Sequence, residues 1–317
     1  MLREARRWKK DLLGFSGAGG LSWLSRVLFA RHPLVQESLT CTEIAGAQTR
    51  YLAVAGEQVA YREQGDGNTA VILLHGFGGR CETWAAIQPA LAAHFRTVAI
   101  DLWGFGASAR PAWVTPRDWT RQVFGVMDAL GIDRAVFVAH SLGGRVSLMC
   151  AAQAPERVRG LALLDADWGH VPHGYLLAWA IAHTPSFPAA LRRLRSDTRH
   201  IARLMRLAYG HAFSVDDALI EQYTAPLRVH GTAKTLVHLG RAALDSNIAG
   251  IPATLHCPSL IIWGDADYII PVEWASKLAQ KMPTSTLITL PAIGHFPQEE
   301  APGLVLAHLQ PFLAQFS

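Results

Sequence analysis

Apolar and polar positions divide this chain into two kinds of segment: short unbroken apolar runs, and longer stretches in which apolar residues recur every three or four positions. Ala70-Val71-Ile72-Leu73-Leu74, Arg134 to Val138, Ser259-Leu260-Ile261-Ile262-Trp263 and Ser285 to Leu290 are of the first kind and read as strands, the first three deeply buried. Thr83 to Ala93, Arg117 to Leu130, Arg145 to Gln153 and Val272 to Met282 have helical spacing. Alternation of the two predicts a mostly parallel sheet with helices on both faces, joined by right-handed crossovers. From about Gly169 to Gly250 the strand pattern disappears and helical spacing continues through breaks near Pro185, Pro188, Gly210 and Gly231.

The run from Arg134 to Val138 ends on Ala139-His140-Ser141-Leu142-Gly143-Gly144, and a helical stretch follows at once. Ser141 therefore stands at a strand-to-helix corner, which forces strained dihedrals on it and requires small residues two before and two after. Ala139 and Gly143 meet that demand. The following helix aims its N–H groups and positive dipole end at the place where an oxyanion would form. Ala70 to Leu74 opens into His75-Gly76-Phe77-Gly78-Gly79, a turn whose backbone can approach a ligand closely. The N–H groups of Phe77 and Leu142 are the natural pair of oxyanion donors. The run ending at Trp263 opens into Gly264-Asp265-Ala266-Asp267, which offers a carboxylate, and the run ending at Leu290 leads through Gly294 to His295, which offers a base. A serine hydroxyl is a poor nucleophile until an imidazole takes its proton and a carboxylate holds that imidazole in the right tautomer.

Serine, aspartate and histidine in that order, each after its own strand and with the glycine-rich turn upstream, resemble the α/β-hydrolase family from about Glu57 to the C-terminus. Asp101-Leu102-Trp103-Gly104-Phe105-Gly106-Ala107-Ser108 is similar to the family's Asp-x-x-Gly-x-Gly-x-Ser turn, whereas Ala139 replaces its usual first elbow glycine. The resemblance implies an α/β fold: a mostly parallel eight-stranded sheet flanked by helices, built from residues 49–168 and 251–317. It further implies a helical cap at 169–250, inserted after the sixth strand, and leaves residues 1–48 as an extension. The implied acid is Asp267, just before Ile269-Ile270-Pro271. Asp265 is its local rival, and Asp165 and Asp167 stand where an acid after the sixth strand would be. Turn capping is the other account of Asp265 and Asp165.

The implied activity is hydrolysis of a carboxylic ester with a hydrophobic acyl or alcohol group through an acyl-serine, without cofactor or metal. Haloalkane dehalogenases and epoxide hydrolases of similar architecture use an aspartate at the elbow, where this chain has Ser141. Metacleavage-product hydrolases use serine, but their characteristic tryptophan after the base is Phe296 here. Carbon–carbon bond hydrolysis is the alternative reaction, and a hydrolase-like receptor for a small ligand is the alternative of another class. Candidates for substrate contact are His75, His140, Trp179, Phe187, Leu207 and Phe296, although the two histidines resemble family positions that are chiefly structural. Tyr175, Leu176, Leu204, Met205, Tyr223 and Leu236 either line an acyl pocket or pack the insertion's own interior. Arg192, Arg193, Arg195, Arg199 and Arg203 form a solvated basic face or meet an anionic ligand.

Composition narrows the rest. A chain of 317 residues that is 50% hydrophobic and 17% charged can bury a large core. The net charge of +4 owes much to Arg3, Arg6, Arg7, Lys9 and Lys10, so it gives no reason to expect nucleic acid as a partner. The uncharged run from Leu12 to Ser25 falls short of the roughly 20 residues that span a bilayer, and its glycines suit a secretory signal poorly. A peripheral amphipathic segment on a membrane surface, or a packing extension, is expected there. Four cysteines without a paired framework fit reduced thiols and a cytoplasmic location. The fourteen histidines lack zinc-peptidase spacing, and Gly76 to Gly79 lacks the Gly-Lys-Ser/Thr of a phosphate cradle.

Overall fold

The computed structural model describes residues 37–169, 184, 198–242 and 248–317. Its sheet contains β1 (Arg50–Val54), β2 (Glu57–Gln64), β3 (Ala70–Leu74), β4 (Arg96–Ile100), β5 (Ala135–His140), β6 (Val158–Leu164), β7 (Ser259–Gly264) and β8 (Ser285–Leu290). The order is β1-β2-β4-β3-β5-β6-β7-β8, antiparallel at β1/β2 and β2/β4 and parallel from β4 to β8. This is the eight-stranded, mostly parallel sheet expected.

The central strands read as unbroken apolar runs because both faces are covered. Ile72 and Leu74 of β3, Phe137 and Ala139 of β5, and Ile261 and Trp263 of β7 point into one core, while their alternate neighbours Val71, Leu73, Val136, Val138, Leu260 and Ile262 point into the other. The first core is closed by α2 (Pro116–Ala129), α3 (Leu142–Gln153) and α7 (Glu273–Lys281). The second is closed by Trp84, Ile87, α1 (Gln88–Ala92) and α8 (Pro302–Ala314). The helix expected over Thr83 to Ala93 is instead a 3₁₀ turn, Cys81–Trp84, followed by the short α1. Pro89 is the reason: it has no N–H to offer the carbonyl four residues back.

Between β6 and β7 the described residues form α4 (Thr198–Ala208), α5 (Asp217–Thr224), a 3₁₀ turn at Ala225–Arg228 and α6 (Thr232–Ala242). Leu236 and Leu239 of α6 belong to the first core, so Leu236 packs the body of the protein rather than lining a pocket. Leu39 pairs with Val229, and Glu37 accepts the N–H groups of Gly231 and Ala233 at 2.8 Å, which fastens the segment before β1 to this helical stretch. The basic and apolar stretch expected to lie on a membrane or pack on the body falls outside the described residues. Among those described, no helix is long and apolar enough to cross a membrane. All four cysteines are free thiols.

Candidate active site

The serine corner is built by close approach of β3 and β5. Ser141 has φ 49° and ψ −115°, a conformation that a non-glycine residue adopts only when its surroundings enforce it. A Cβ on Gly143 would lie 2.2 Å from the Leu74 carbonyl oxygen, and one on Gly76 would lie 2.8 Å from His140 Nδ1 and 3.0 Å from Ser141 Cβ. Only glycine lets these two loops touch. The Ser141 N–H donates to Leu164 O at 3.0 Å, and its carbonyl accepts from Gly144 N at 2.8 Å and Asp167 N at 2.9 Å. Leu142 opens α3, so its N–H has no carbonyl one turn back. Among the described residues no acceptor faces the N–H of Phe77 either.

The three loops at the strand ends bring their polar groups to one point. Ser141 Oγ lies 3.0 Å from His295 Nε2, and His295 Nδ1 lies 2.7 Å from Asp267 Oδ2. Asp267 Oδ1 accepts the N–H groups of Ile269 at 2.6 Å and Ile270 at 2.9 Å. All three side chains are buried. The rival carboxylates do other work. Asp265 is exposed and caps the β8 turn by accepting Ala292 N at 2.6 Å. Asp167 holds Arg145 of α3 through a two-pronged ion pair at 2.8 and 3.1 Å. Asp165 is fully buried beside Asp267 and accepts Gly264 N at 3.0 Å.

The family model described as alpha/beta hydrolase fold matches residues 69–302. This chain belongs to the α/β-hydrolase fold family. It is 27% identical to an uncharacterized hydrolase of Bacillus subtilis (strain 168), across 83% of this chain and 97% of that one. It is 32% identical to a 2-hydroxymuconate semialdehyde hydrolase of Pseudomonas putida, across 84% and 94%. A solved structure of a probable hydrolytic enzyme from Pseudomonas aeruginosa PAO1 superimposes with a TM-score of 0.75 at 20% identity, covering 90% and 99% of the two chains.

In this α/β-hydrolase the two candidate histidines beside the corner are engaged within the protein. His75 Nε2 accepts Leu102 N at 3.0 Å and its Nδ1 pairs with Gly76 O at 2.7 Å. Since both ring nitrogens are taken and the residue is fully buried, His75 is not offered to a ligand. His140 Nε2 donates to the His295 carbonyl at 2.6 Å, and burial, reinforced by His295, pushes its pKa well down and keeps it neutral. Phe296 stacks on Tyr209 at 4.6 Å and meets the His295 ring edge-on at 5.3 Å. Leu207 is half-buried, Met205 buried and Leu204 exposed on α4. Tyr175, Leu176, Trp179, Phe187, Arg192, Arg193 and Arg195 lie outside the described residues, as does the side chain of Arg199.

A polar cluster that the sequence reading did not single out anchors the histidine loop. The His295 N–H donates to Ala208 O at 2.7 Å, where α4 ends. Glu300 Oε2 accepts Gly210 N at 2.7 Å and Gly294 N at 2.9 Å, while its Oε1 accepts Phe296 N at 3.1 Å. Its neighbour Glu299 accepts the hydroxyls of Tyr209 at 2.5 Å and Tyr223 at 2.7 Å. Burial outweighs those hydrogen bonds and raises the Glu299 pKa to about 7. The adjacent acids after Pro297 were the visible signal, but their partners lie up to 90 residues away.

Proposed function

We propose that the protein hydrolyses carboxylic esters carrying a hydrophobic acyl or alcohol group, with Ser141 as nucleophile, His295 as base and Asp267 as acid. The observation that carries this reading is the continuous path from Ser141 Oγ through the His295 ring to Asp267 Oδ2, at 3.0 and 2.7 Å. His295 Nε2 takes the hydroxyl proton as Oγ attacks the ester carbonyl. The carbonyl oxygen becomes an oxyanion between the N–H groups of Phe77 and Leu142, each worth about 3 kcal/mol of barrier. Nε2–H then protonates the leaving alcohol. A water activated by the same nitrogen attacks the acyl-serine, and collapse of the second tetrahedral species releases the acid. Asp267 keeps the Nδ1–H tautomer in place and stabilises the imidazolium throughout.

The aromatic stack of Phe296, Tyr209 and Phe213 supports a hydrophobic substrate group. The helices between β6 and β7, joined to the histidine loop at Ala208 and Gly210, act in this reading as the cap over the site. A second reading, hydrolysis of a carbon–carbon bond, is favoured by the named 2-hydroxymuconate semialdehyde hydrolases at 31 and 32% identity. Phe296, in place of the tryptophan that the resemblance implies for that class, puts it second.

The deciding experiment is turnover of p-nitrophenyl esters from acetate to palmitate, beside 2-hydroxymuconate semialdehyde, by the wild type and Ser141→Ala. Ester turnover that disappears in Ser141→Ala is the expected result. Turnover of the semialdehyde alone selects the second reading, and near-wild-type rates in Ser141→Ala overturn both.

A further inference from the structure

Asp165 and Asp267 lie in the loops that follow the neighbouring strands β6 and β7. A carboxyl oxygen of each, with a ring nitrogen of His295, lies in a group whose members are all within 4.8 Å of one another. The two oxygens of Asp165 have unlike surroundings. Oδ1 accepts the Gly264 N–H at 3.0 Å, whereas Oδ2 is buried with no hydrogen-bond donor facing it. Asp267 has donors on both oxygens: Ile269 and Ile270 N–H on Oδ1, and His295 on Oδ2. Turn capping accounts for Asp165 Oδ1 and leaves Oδ2 unexplained.

A fully buried carboxylate with one bare oxygen, standing beside a second carboxylate, is costly on two grounds. Its charge is desolvated, and two like charges this close do not both ionise. The neighbours that act on Asp165 are the acids Asp267 and Glu300, and His295 is the only base in the group. Burial first, and the Asp267 charge second, push the Asp165 carboxyl well above the usual range. A proton on Oδ2 removes both costs and supplies the donor that the geometry lacks.

We propose that Asp165 is held as a neutral carboxylic acid whose Oδ2–H donates to the Asp267 carboxylate, so that the acid of the relay is a carboxyl pair sharing one negative charge. Asp165 is then a positioning residue. It fixes the carboxylate that faces His295 and spreads its charge, and the proton stays on Asp165 throughout turnover. The inference rests on the relay being catalytic, as proposed above.

The backbone makes the test clean. Asp165 has φ 43°, which asparagine tolerates well and glycine adopts without strain. Infrared spectra of the full chain labelled with ¹³C-aspartate are to be compared between the wild type and Asp165→Asn at pH 8. A carboxylic-acid carbonyl band in the wild type, missing from the variant, is expected; its absence from the wild type overturns the proposal. In kinetics, the asparagine amide still donates to Asp267 and accepts from Gly264. Turnover within about threefold of wild type is therefore expected, with the acid limb of kcat/KM unmoved. Were Asp165 ionised, Asp165→Asn would remove a negative charge beside the imidazolium and lower the midpoint of that limb, which overturns the proposal. Asp165→Gly deletes the donor and is expected to slow turnover about tenfold. Wild-type turnover in a folded Asp165→Gly removes the positioning role. The band is independent of activity: its absence from the wild type with Ser141-dependent turnover intact sinks the pairing alone, while Ser141-independent turnover with the band present in the wild type sinks the relay.

Discussion

The serine and histidine loops arrive at the same point by close packing, and the histidine loop alone adds a buried side-chain anchor, Glu300. The serine corner is fixed by contact: Gly76 and Gly143 leave no room for a methyl group, while Leu164 of β6 accepts the Ser141 N–H and Gly144 and Asp167 donate to its carbonyl. The histidine loop has close backbone contacts of its own, a Cβ on Gly294 lying 2.4 Å from Ala208 O and one on Gly264 2.2 Å from Gly294 O, and adds to them hydrogen bonds from His295 to Ala208, from His140 to the His295 carbonyl, and from three N–H groups to the Glu300 carboxylate. Steric fixing fails abruptly, because interiors are close-packed. A set of hydrogen bonds gives way in steps, each worth about 1–3 kcal/mol when it involves a charged group. The end of α4 is thus part of what places His295, although it stands about ninety residues before it in the chain.

Variants along that contrast should separate the two loops. The largest effect is expected in the proposed relay: Asp267→Asn should cost about 10⁴ in turnover by leaving His295 in the wrong tautomer, measured as kcat on a soluble ester. Gly76→Ala comes next. Its new methyl collides with His140 and Ser141, and a displacement of about 1 Å at the reacting atoms costs on the order of 10². If Gly76→Ala were as active as wild type, the corner would be more yielding than its contacts imply. Glu300→Gln should lower turnover only about tenfold, with an intact fold by circular dichroism, since the amide oxygen can still accept the Gly210 and Gly294 N–H groups and only the Phe296 N–H loses its acceptor. A loss as steep as that of Gly76→Ala would show that the histidine loop is no softer than the corner.

The smallest expected effect is on stability and its pH dependence. The Glu299 pKa of about 7 lies above its ordinary value of 4.5, so its protonated form is favoured by folding. The stability it contributes is fully present below about pH 4.5 and is lost as the pH rises through 7. Glu299→Gln, neutral at every pH, should therefore lose less melting temperature than wild type between pH 5 and 8. The difference is expected to be a few degrees, roughly 2–4 °C for each kcal/mol. Parallel melting curves for the two proteins across that range would dismiss the buried-acid account.

How much of this could be read from the chain depended on whether a local rule governed it. Strands β3, β5 and β7 were legible because burial on both faces leaves an unbroken apolar signature. The loops after β5, β7 and β8 were legible because glycine and the polar residues beside it mark strand ends. The hairpin of β1 and β2 was not singled out, since its strands are partly exposed and mix polar with apolar residues. Helical spacing showed that Leu236 faces something apolar, but not that it faces the main core rather than a pocket. Glu299, Glu300 and the bare oxygen of Asp165 acquire meaning only from partners brought near by the fold. No spacing within the chain encodes those pairs.

The backbone conformation of Ser141 bears on how such a protein can be improved. Dihedrals of this kind cost about 1–3 kcal/mol in a residue with a side chain, and glycine escapes most of that penalty. A screen for heat resistance alone would therefore reward Ser141→Gly and select against the proposed nucleophile. Selection has to score turnover together with melting temperature if the corner is to survive it.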